Sequence, residues 1–493
     1  MNTRRASCDC LASSTRIAAT RNKGQCIEPQ VTHKPTTRTF ATIRRGFQEF
    51  LRLPVIIIAV FLVLSVATYL LDNANVGWLQ PSRQFMSDHV FGDPESTGQL
   101  LGAIAGSLIT VASITFSLLL LAVQQAAGAM THSVIDQFLR RRVNQVFFGF
   151  FVGLAINALI TLATVDPPFN PVFGATNVLT LAIVAIIMLL FLIYLTVHQM
   201  RPAIIIQSIH DLTLAARKQQ LALIAASRAD HQGSFAVTLP VTSAESGYLV
   251  HIDHERIIGM TTDAGDNYEA EFVNPIGAYV AFGDTIAVIR AADRETAKQV
   301  GEAVASAIRI ESDQSLEMDP AHGIEQLVTI AWTSISTSKQ NPAPGLTVNY
   351  ALRDILARLA ADGYDVERDP TSPLVYHDTL LDELFQAFEL LAVVSTESMQ
   401  PQQFAVVAET FTQMYGRIPA EWQARMETAI VHILPGLGDH MLTVRLDRSL
   451  GGLIATLQQH GRHDVAAAVN EAQRGMRATI GVLNSRATRV PPG

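Results

Sequence analysis

The residues whose types and spacing best suggest a role are a row of small and polar side chains inside an apolar stretch. Gly102, Gly106, Ser113, Ser117 and Gln124 follow at intervals of 4, 7, 4 and 7, which places them on one face of a helix, with Thr110 beside them. Gly102-Ala-Ile-Ala-Gly106 is a GxxxG pair, and small residues let helices approach closely while hydroxyls bond across the contact. Two readings stay open. One is a tight helix–helix seam, within one chain or between copies. The other is a polar line facing a water-filled pathway, to which Asn157 in a neighbouring apolar stretch would add an amide. A proton-coupled pump is disfavoured, because such relays need ionisable groups inside the apolar stretches, and these stretches hold no Asp, Glu, Lys or Arg.

Enzymatic patterns are missing. There is no P-loop, no HExxH, no CxxC and no GxSxG. His251-x-Asp253-His254 puts His251 and Asp253 on one face of a strand, where they could ligate a metal, but a solvated strand face is the favoured reading. His460 and His463 read as surface residues near a helical turn. Ser334, Ser336 and Ser338 have no adjacent His to activate them. The segment 277–289 is similar in outline to a lipoyl or biotinyl carrier hairpin, but no Lys stands at its turn. Cys8, Cys10 and Cys26 are the only cysteines, which excludes a disulfide scaffold. Exposed thiols in a tail explain them more simply than a metal or lipid attachment. The expectation is no enzyme, no cofactor and no metal.

Arg140, Arg141 and Arg142 form the densest basic cluster between apolar stretches. They could hold anionic lipid headgroups at about 1 kcal/mol each, or merely fix the chain's orientation. Phe138 and Leu139 would let the segment lie in the membrane interface.

A chain of 493 residues suggests roughly three units at about 150 each. Apolar residues make up 49% and charged residues 16%, against about 25% charged in ordinary soluble chains. Crossing a bilayer takes about 20 apolar residues. Four stretches qualify: Leu53–Leu71, Leu100–Val123, Val146–Val165 and Thr176–Val197, the last ending at His198. Each must be helical, because lipid offers backbone groups no partners. Trp78 reads as an interfacial anchor.

Residues 1–52 hold ten Lys or Arg and three Asp or Glu, a net of +7, so a chain of net −8 carries −15 beyond them. That is a cytoplasmic flank before a first span, not a nucleic-acid signature. An organellar transit peptide shares its Arg- and Ser-rich composition. Arg44, Arg45 and Arg52 precede the first span, Arg140–Arg142 lie between the second and third, and Arg201, Arg217 and Lys218 follow the fourth. The loop from Asp72 to Gln99 holds one Arg against four acids, and Asp166–Ala175 holds no basic residue. The alternation predicts a multi-pass membrane protein with both termini in the cytoplasm.

The expected organisation is a disordered basic tail (1–46), a four-helix membrane domain (47–200), a linking helix (201–232), a small β-barrel-like module (233–292), an α-helical cytoplasmic domain of seven or eight helices (293–487) and a short tail (488–493). The fold class is therefore four transmembrane helices plus a cytoplasmic α+β domain. The expected partners are the lipid bilayer, further copies of the chain and anionic lipid. The leading functional expectation is an oligomeric, channel-like protein gated by its cytoplasmic domain; the alternative is a non-conducting scaffold or sensor.

Several blocks resemble a bacterial family of predicted membrane proteins known as domain of unknown function 2254. They are AGSLITVASITFSLLLLAVQQAA with VIDQFLRRRVNQVFFGFFVG, SGYLVHID with NPIGAYVAFGDTIAVI, and DPAHGIEQLVTIAWTSIS with NPAPGLTV, in that order. The resemblance runs from about Phe47 to the last helices. The chain departs from the family's pattern at Thr131-His132-Ser133 and across Ser336–Pro342. The resemblance implies the four-span plan with a cytoplasmic domain, and no known activity.

Overall fold

The structure, a computed structural model, describes residues 36–74, 80–89, 91–129, 142–199, 201–232, 234–261, 267–336, 341–361, 365–438 and 440–478. Among the described residues four long helices are apolar enough to cross a membrane: α1 (Thr36–Asn73), α3 (Pro94–Ala129), α4 (Arg142–Ala163) and α5 (Val172–Gln199). A short helix, α2 (Gln80–His89), lies between the first two. Half of the α4 span is buried, against about a fifth of each of the others, so α4 is the centre on which the rest pack. Its Phe147, Phe151, Leu154 and Ala158 form a core with Phe61 of α1, Leu101 and Leu108 of α3, and Val178 and Leu192 of α5.

Glycine decides how closely α1 and α4 cross. A Cβ at Gly153 would fall 2.5 Å from the Phe61 ring, and one at Gly149 would fall 2.8 Å from the Pro54 backbone. Gly149-Phe-Phe-Val-Gly153 is thus the GxxxG pair that forms a seam within the chain.

Pro202 opens α6 (Pro202–Ala225) at the position where a missing N–H costs nothing. Its buried face, with Ile206, Ile209 and Leu214, joins the core of a helical group made of α9 (Pro320–Ile335), α10 (Ala343–Leu359), α11 (Leu380–Glu397), α12 (Pro401–Met414), α13 (Ala420–Leu437), α14 (Val444–Gln459) and α15 (His463–Ala478).

The β-rich region is not the closed barrel-like module expected of it. Among the described residues it forms two open sheets, one of order β1-β5-β3-β7 and one of order β4-β2-β6. The strands are β1 (Val237–Thr242), β2 (Gly247–Ile252), β3 (Tyr268–Phe272), β4 (Tyr279–Val280), β5 (Thr285–Ala291), β6 (Ile308–Glu311) and β7 (Leu374–Tyr376). A short helix, α7 (His254–Met260), follows β2. The last two strands come from the region expected to be wholly helical. β6 directly follows α8 (Arg294–Ala307), which packs on β1 and β5 through Ala297, Val300 and Val304. β7 is three fully buried residues and pairs in parallel with β3. The sheets therefore draw on distant segments instead of closing on themselves. Gly247 lets β2 lie against β6, since a Cβ there would collide with the Glu311 carbonyl.

Candidate functional site

On α3, the face carrying Leu101, Ala105, Leu108 and Thr115 is buried against α4 and α5. The predicted polar face points the other way. Gly102 is half-buried, and Gly106, Thr110, Ser113 and Ser117 are exposed. A Cβ at Gly106 would meet nothing within 4 Å and one at Gly102 only the Leu162 side chain of α4 at 4.0 Å, so among the described residues the Gly102–Gly106 pair makes no close seam. Two of the hydroxyls bond to their own helix: Thr110 donates to the Gly106 carbonyl (3.0 Å) and Ser117 to that of Ser113 (3.0 Å). Gln124 is in α3, but its side chain lies outside the described residues. So do Arg140, Arg141 and the side chain of Arg142, which opens α4.

Asn157 does not join that face. It is fully buried between α4 and α1, where its Oδ1 accepts from Ser65 Oγ (3.2 Å). Thr161, one turn on, donates to the Asn157 carbonyl (2.9 Å), and among the described residues the Asn157 Nδ2 has no hydrogen-bond partner. Ser65, Thr68 and Asp72 share one face of α1 and are all buried. Asp72 accepts from the backbone N–H groups of Phe173 (2.8 Å) and Gly174 (2.9 Å) at the start of α5. The polar interior of the helix group thus lies between α1, α4 and α5. Sequence reasoning placed Asp72 in a loop; the signal available was the 3-and-4 spacing of Ser65, Thr68 and Asp72.

Below the apolar helices, α6 is tied to three neighbours. His210 Nε2 lies 2.8 Å from Asp354 Oδ2 on α10. Burial works to raise the Asp354 carboxyl, but hydrogen bonds from Arg358 and His210 hold it below its ordinary value. Thr213 fills the space left by Gly323 on α9. Arg217 pairs with Asp378 (2.7 Å), and Gln220 donates to the Tyr376 hydroxyl (3.0 Å) on β7. That hydroxyl also accepts from the Ile276 N–H (3.2 Å), and burial pushes the phenol up to about 12. Beside it Gly277, at φ +95°, leaves room only for the Asp319 carboxylate, which caps α9 through the Ala321 N–H.

The other candidates take structural places. His251 lies opposite Arg309 in the β2–β6 pair, and burial first, then Arg309, holds its ring below the ordinary value. Asp253 caps α7 by accepting from the Arg256 N–H (3.0 Å), and His254 is the first residue of that helix. No group of three potential metal ligands exists among the described residues. His460 caps α14 and meets the Tyr415 ring edge-on (5.2 Å), while His463 opens α15. Ser334 and Ser336 donate to carbonyls of their own helix. The segment 277–289 links the two sheets, with Gly283 at φ +87° in the turn between β4 and β5. His198 stacks on Tyr194 (5.7 Å). Ser338, Trp78, Cys8, Cys10 and Cys26 lie outside the described residues.

Helices apolar enough to cross a membrane agree with what comparison with known proteins finds. Residues 48–393 match the model of a family described as predicted membrane protein (DUF2254). The chain belongs to that family. The chain is also 25% identical over 300 residues to an uncharacterised protein of Mycobacterium bovis and to uncharacterised proteins of two Mycobacterium tuberculosis strains. The match covers 58% of this chain and 57% of each of those proteins, so the chain spans little more than half of their length. No solved structure matches it.

Proposed function

We propose that this member of the family is a homo-oligomer of the bacterial inner membrane in which the polar faces of α3 from several copies line a channel-like path. The observation that carries this reading is the outward placement of Gly106, Thr110, Ser113 and Ser117. A face of small and hydroxyl side chains on a membrane helix suits close approach by a second copy. The space between the four helices of one copy is packed with Phe147, Phe151, Leu154 and Leu101, so a path requires several copies. The basic flanks at Arg44, Arg45, Arg201 and Lys218 support cytoplasmic termini and a cytoplasmic domain. That domain holds α6 at three points and is the part able to gate. Arg140–Arg142 would then face the cytoplasmic leaflet and hold anionic lipid. The reading is non-enzymatic, in keeping with the missing catalytic motifs.

A second reading is a non-conducting scaffold or sensor. It is favoured by the Thr110 and Ser117 hydroxyls giving their protons to their own helix, as hydroxyls facing lipid must. Planar-bilayer recordings of the purified protein, beside native gels of a Ser113→Leu, Ser117→Leu double variant, decide between them. A pathway loses current in the variant while the oligomer persists; a seam without a pathway loses the oligomer. A wild-type protein that never conducts leaves only the second reading.

A further inference from the structure

The helical group has two ends, and its contacts fix which of them adjoins the apolar helices. Gly323 of α9 meets Thr213 of α6, while Asp319, at the start of α9, lies against Gly277 beside the Ile276–Tyr376–Gln220 chain of hydrogen bonds. α9 therefore runs antiparallel to α6. Its last residue, Ile335, is about 18 Å beyond Gly323 and comes level with Arg201 and Pro202. α10 gives the same answer, since its Asp354 meets His210 while Gly345, near its start, meets Ile335. α9 also touches α3. Gln403, at the start of α12, donates to the Pro342 carbonyl (2.9 Å) and accepts from Asn349 (2.7 Å). The Phe404 ring meets His440 (5.5 Å), which lies 3.1 Å from Thr396 near the end of α11, and Thr396 packs on Gly436 of α13. The ends of α9, α11 and α13 and the starts of α10, α12 and α14 thus gather where α5 passes into α6.

That end carries the exposed apolar side chains. Val444 is 76% exposed, Met441 64% and Met399 51%, and Trp332, Tyr350 and Val393 are exposed within about two turns of it. Among the described residues the opposite end, where α10, α12 and α14 finish, exposes no large apolar side chain. Water on all sides gives no reason for this asymmetry, whereas a bilayer beside one end does. α5 has 28 residues and is about 42 Å long, and a bilayer is about 30 Å of hydrocarbon within about 40–45 Å overall, so α6 begins at the depth of the headgroups. Trp and Tyr suit that layer, having an apolar ring and a polar edge. Arg353, whose guanidinium lies 5.4 Å from the centre of the Tyr350 ring, and the exposed Arg201 place positive charge beside it.

We infer that this end of the helical group is a lipid-facing surface, with Trp332, Tyr350, Met399, Met441 and Val444 set in the headgroup layer of the bilayer that the four helices cross. A second copy of the chain would bury such side chains too, but it would not require them to share the depth at which α6 begins. The inference is independent of whether the α3 face conducts.

The test uses the full-length protein in lipid nanodiscs. Trp78→Phe with Trp422→Phe leaves Trp332 as the single tryptophan. Lipids brominated near the top of their acyl chains should quench its emission several-fold, and acrylamide in the water should quench it several-fold less than free tryptophan. Spin labels give a second measure should that variant not fold. With Cys8, Cys10 and Cys26 changed to Ser, labels at Met441→Cys and Val444→Cys should respond several-fold more to oxygen, which concentrates in lipid, than to a nickel chelate, which stays in water. A label at Gln459→Cys, exposed at the opposite end, should show the reverse. Trp332 emission indifferent to brominated lipid, or labels at Met441 and Val444 that behave like the one at Gln459, overturns the lipid-facing surface. Labels shielded from both reagents overturn it as well, since protein, such as a second copy, then covers that end.

Discussion

Asp72 and Gly174 stand 102 residues apart and meet at 2.9 Å, carboxylate Oδ2 to backbone N–H, while Oδ1 takes the Phe173 N–H at 2.8 Å. The end of α1 thereby caps the beginning of α5. Helix N-termini leave unpaired N–H groups and a partial positive charge, and a carboxylate that is 1% exposed answers both. Asp72→Ala is expected to cost about 1–2 kcal/mol, read as a lower unfolding midpoint in mixed micelles, with Asp72→Asn in between. An unchanged midpoint in the alanine variant would show that the cap contributes nothing.

The two GxxxG pairs should behave differently. Gly153→Val drives a side chain into Phe61 and should destabilise the monomer by about 1–3 kcal/mol. Gly106→Ala points into open space and should leave monomer stability within about 0.5 kcal/mol of wild type. Equal losses from the two would contradict the packing of α1 on α4.

Glu269 is fully buried and receives Arg228 (2.6 Å) and Arg290 (3.0 Å). Glu269→Gln leaves two guanidinium groups without their shared counter-charge, and breaking such a buried pair typically costs about 3–5 kcal/mol. Glu271, partly exposed and also bound to Arg290, should matter less when changed to Gln. Thermal unfolding of both variants gives the order; a larger loss at Glu271 would be inconsistent with it.

Two buried groups oppose one another on the acid side of neutrality. Burial lowers His440 from 6.5 to about 4; its contribution is complete above pH 6.5 and is lost as pH falls toward 4. Burial raises Asp319 from 3.8 to about 6, against hydrogen bonds from the start of α9; its folded-state penalty is complete above pH 6 and disappears as pH falls toward 3.8. Each is worth on the order of 2–3 kcal/mol. His440→Gln should therefore remove an acid-side loss, and Asp319→Asn should remove an acid-side gain. Unfolding midpoints taken from about pH 7 to about pH 4 should slope in opposite directions for the two variants; parallel slopes would refute the assignment.

The four apolar helices were legible because length and hydropathy are local properties, and so was the Gly102–Ser117 face, because helical spacing is fixed by the backbone. Neither property says which side of α3 meets a neighbour. That depends on what packs there, and the structure turns the polar face outward and gives the seam to Gly149 and Gly153. The strand pattern around residues 237–291 was readable from alternation and turn glycines, whereas β7, three buried residues with no alternation, had no local mark. Asp72 looked like one more acid in a loop, and only the arrival of α5 beside it makes it a cap. By itself, then, the sequence determined which segments are helices apolar enough for a membrane and which alternate with polar turns. The tertiary structure alone decided which faces are buried, which distant residues share a hydrogen bond and which sheet a strand joins, because those depend on pairings between segments a hundred or more residues apart.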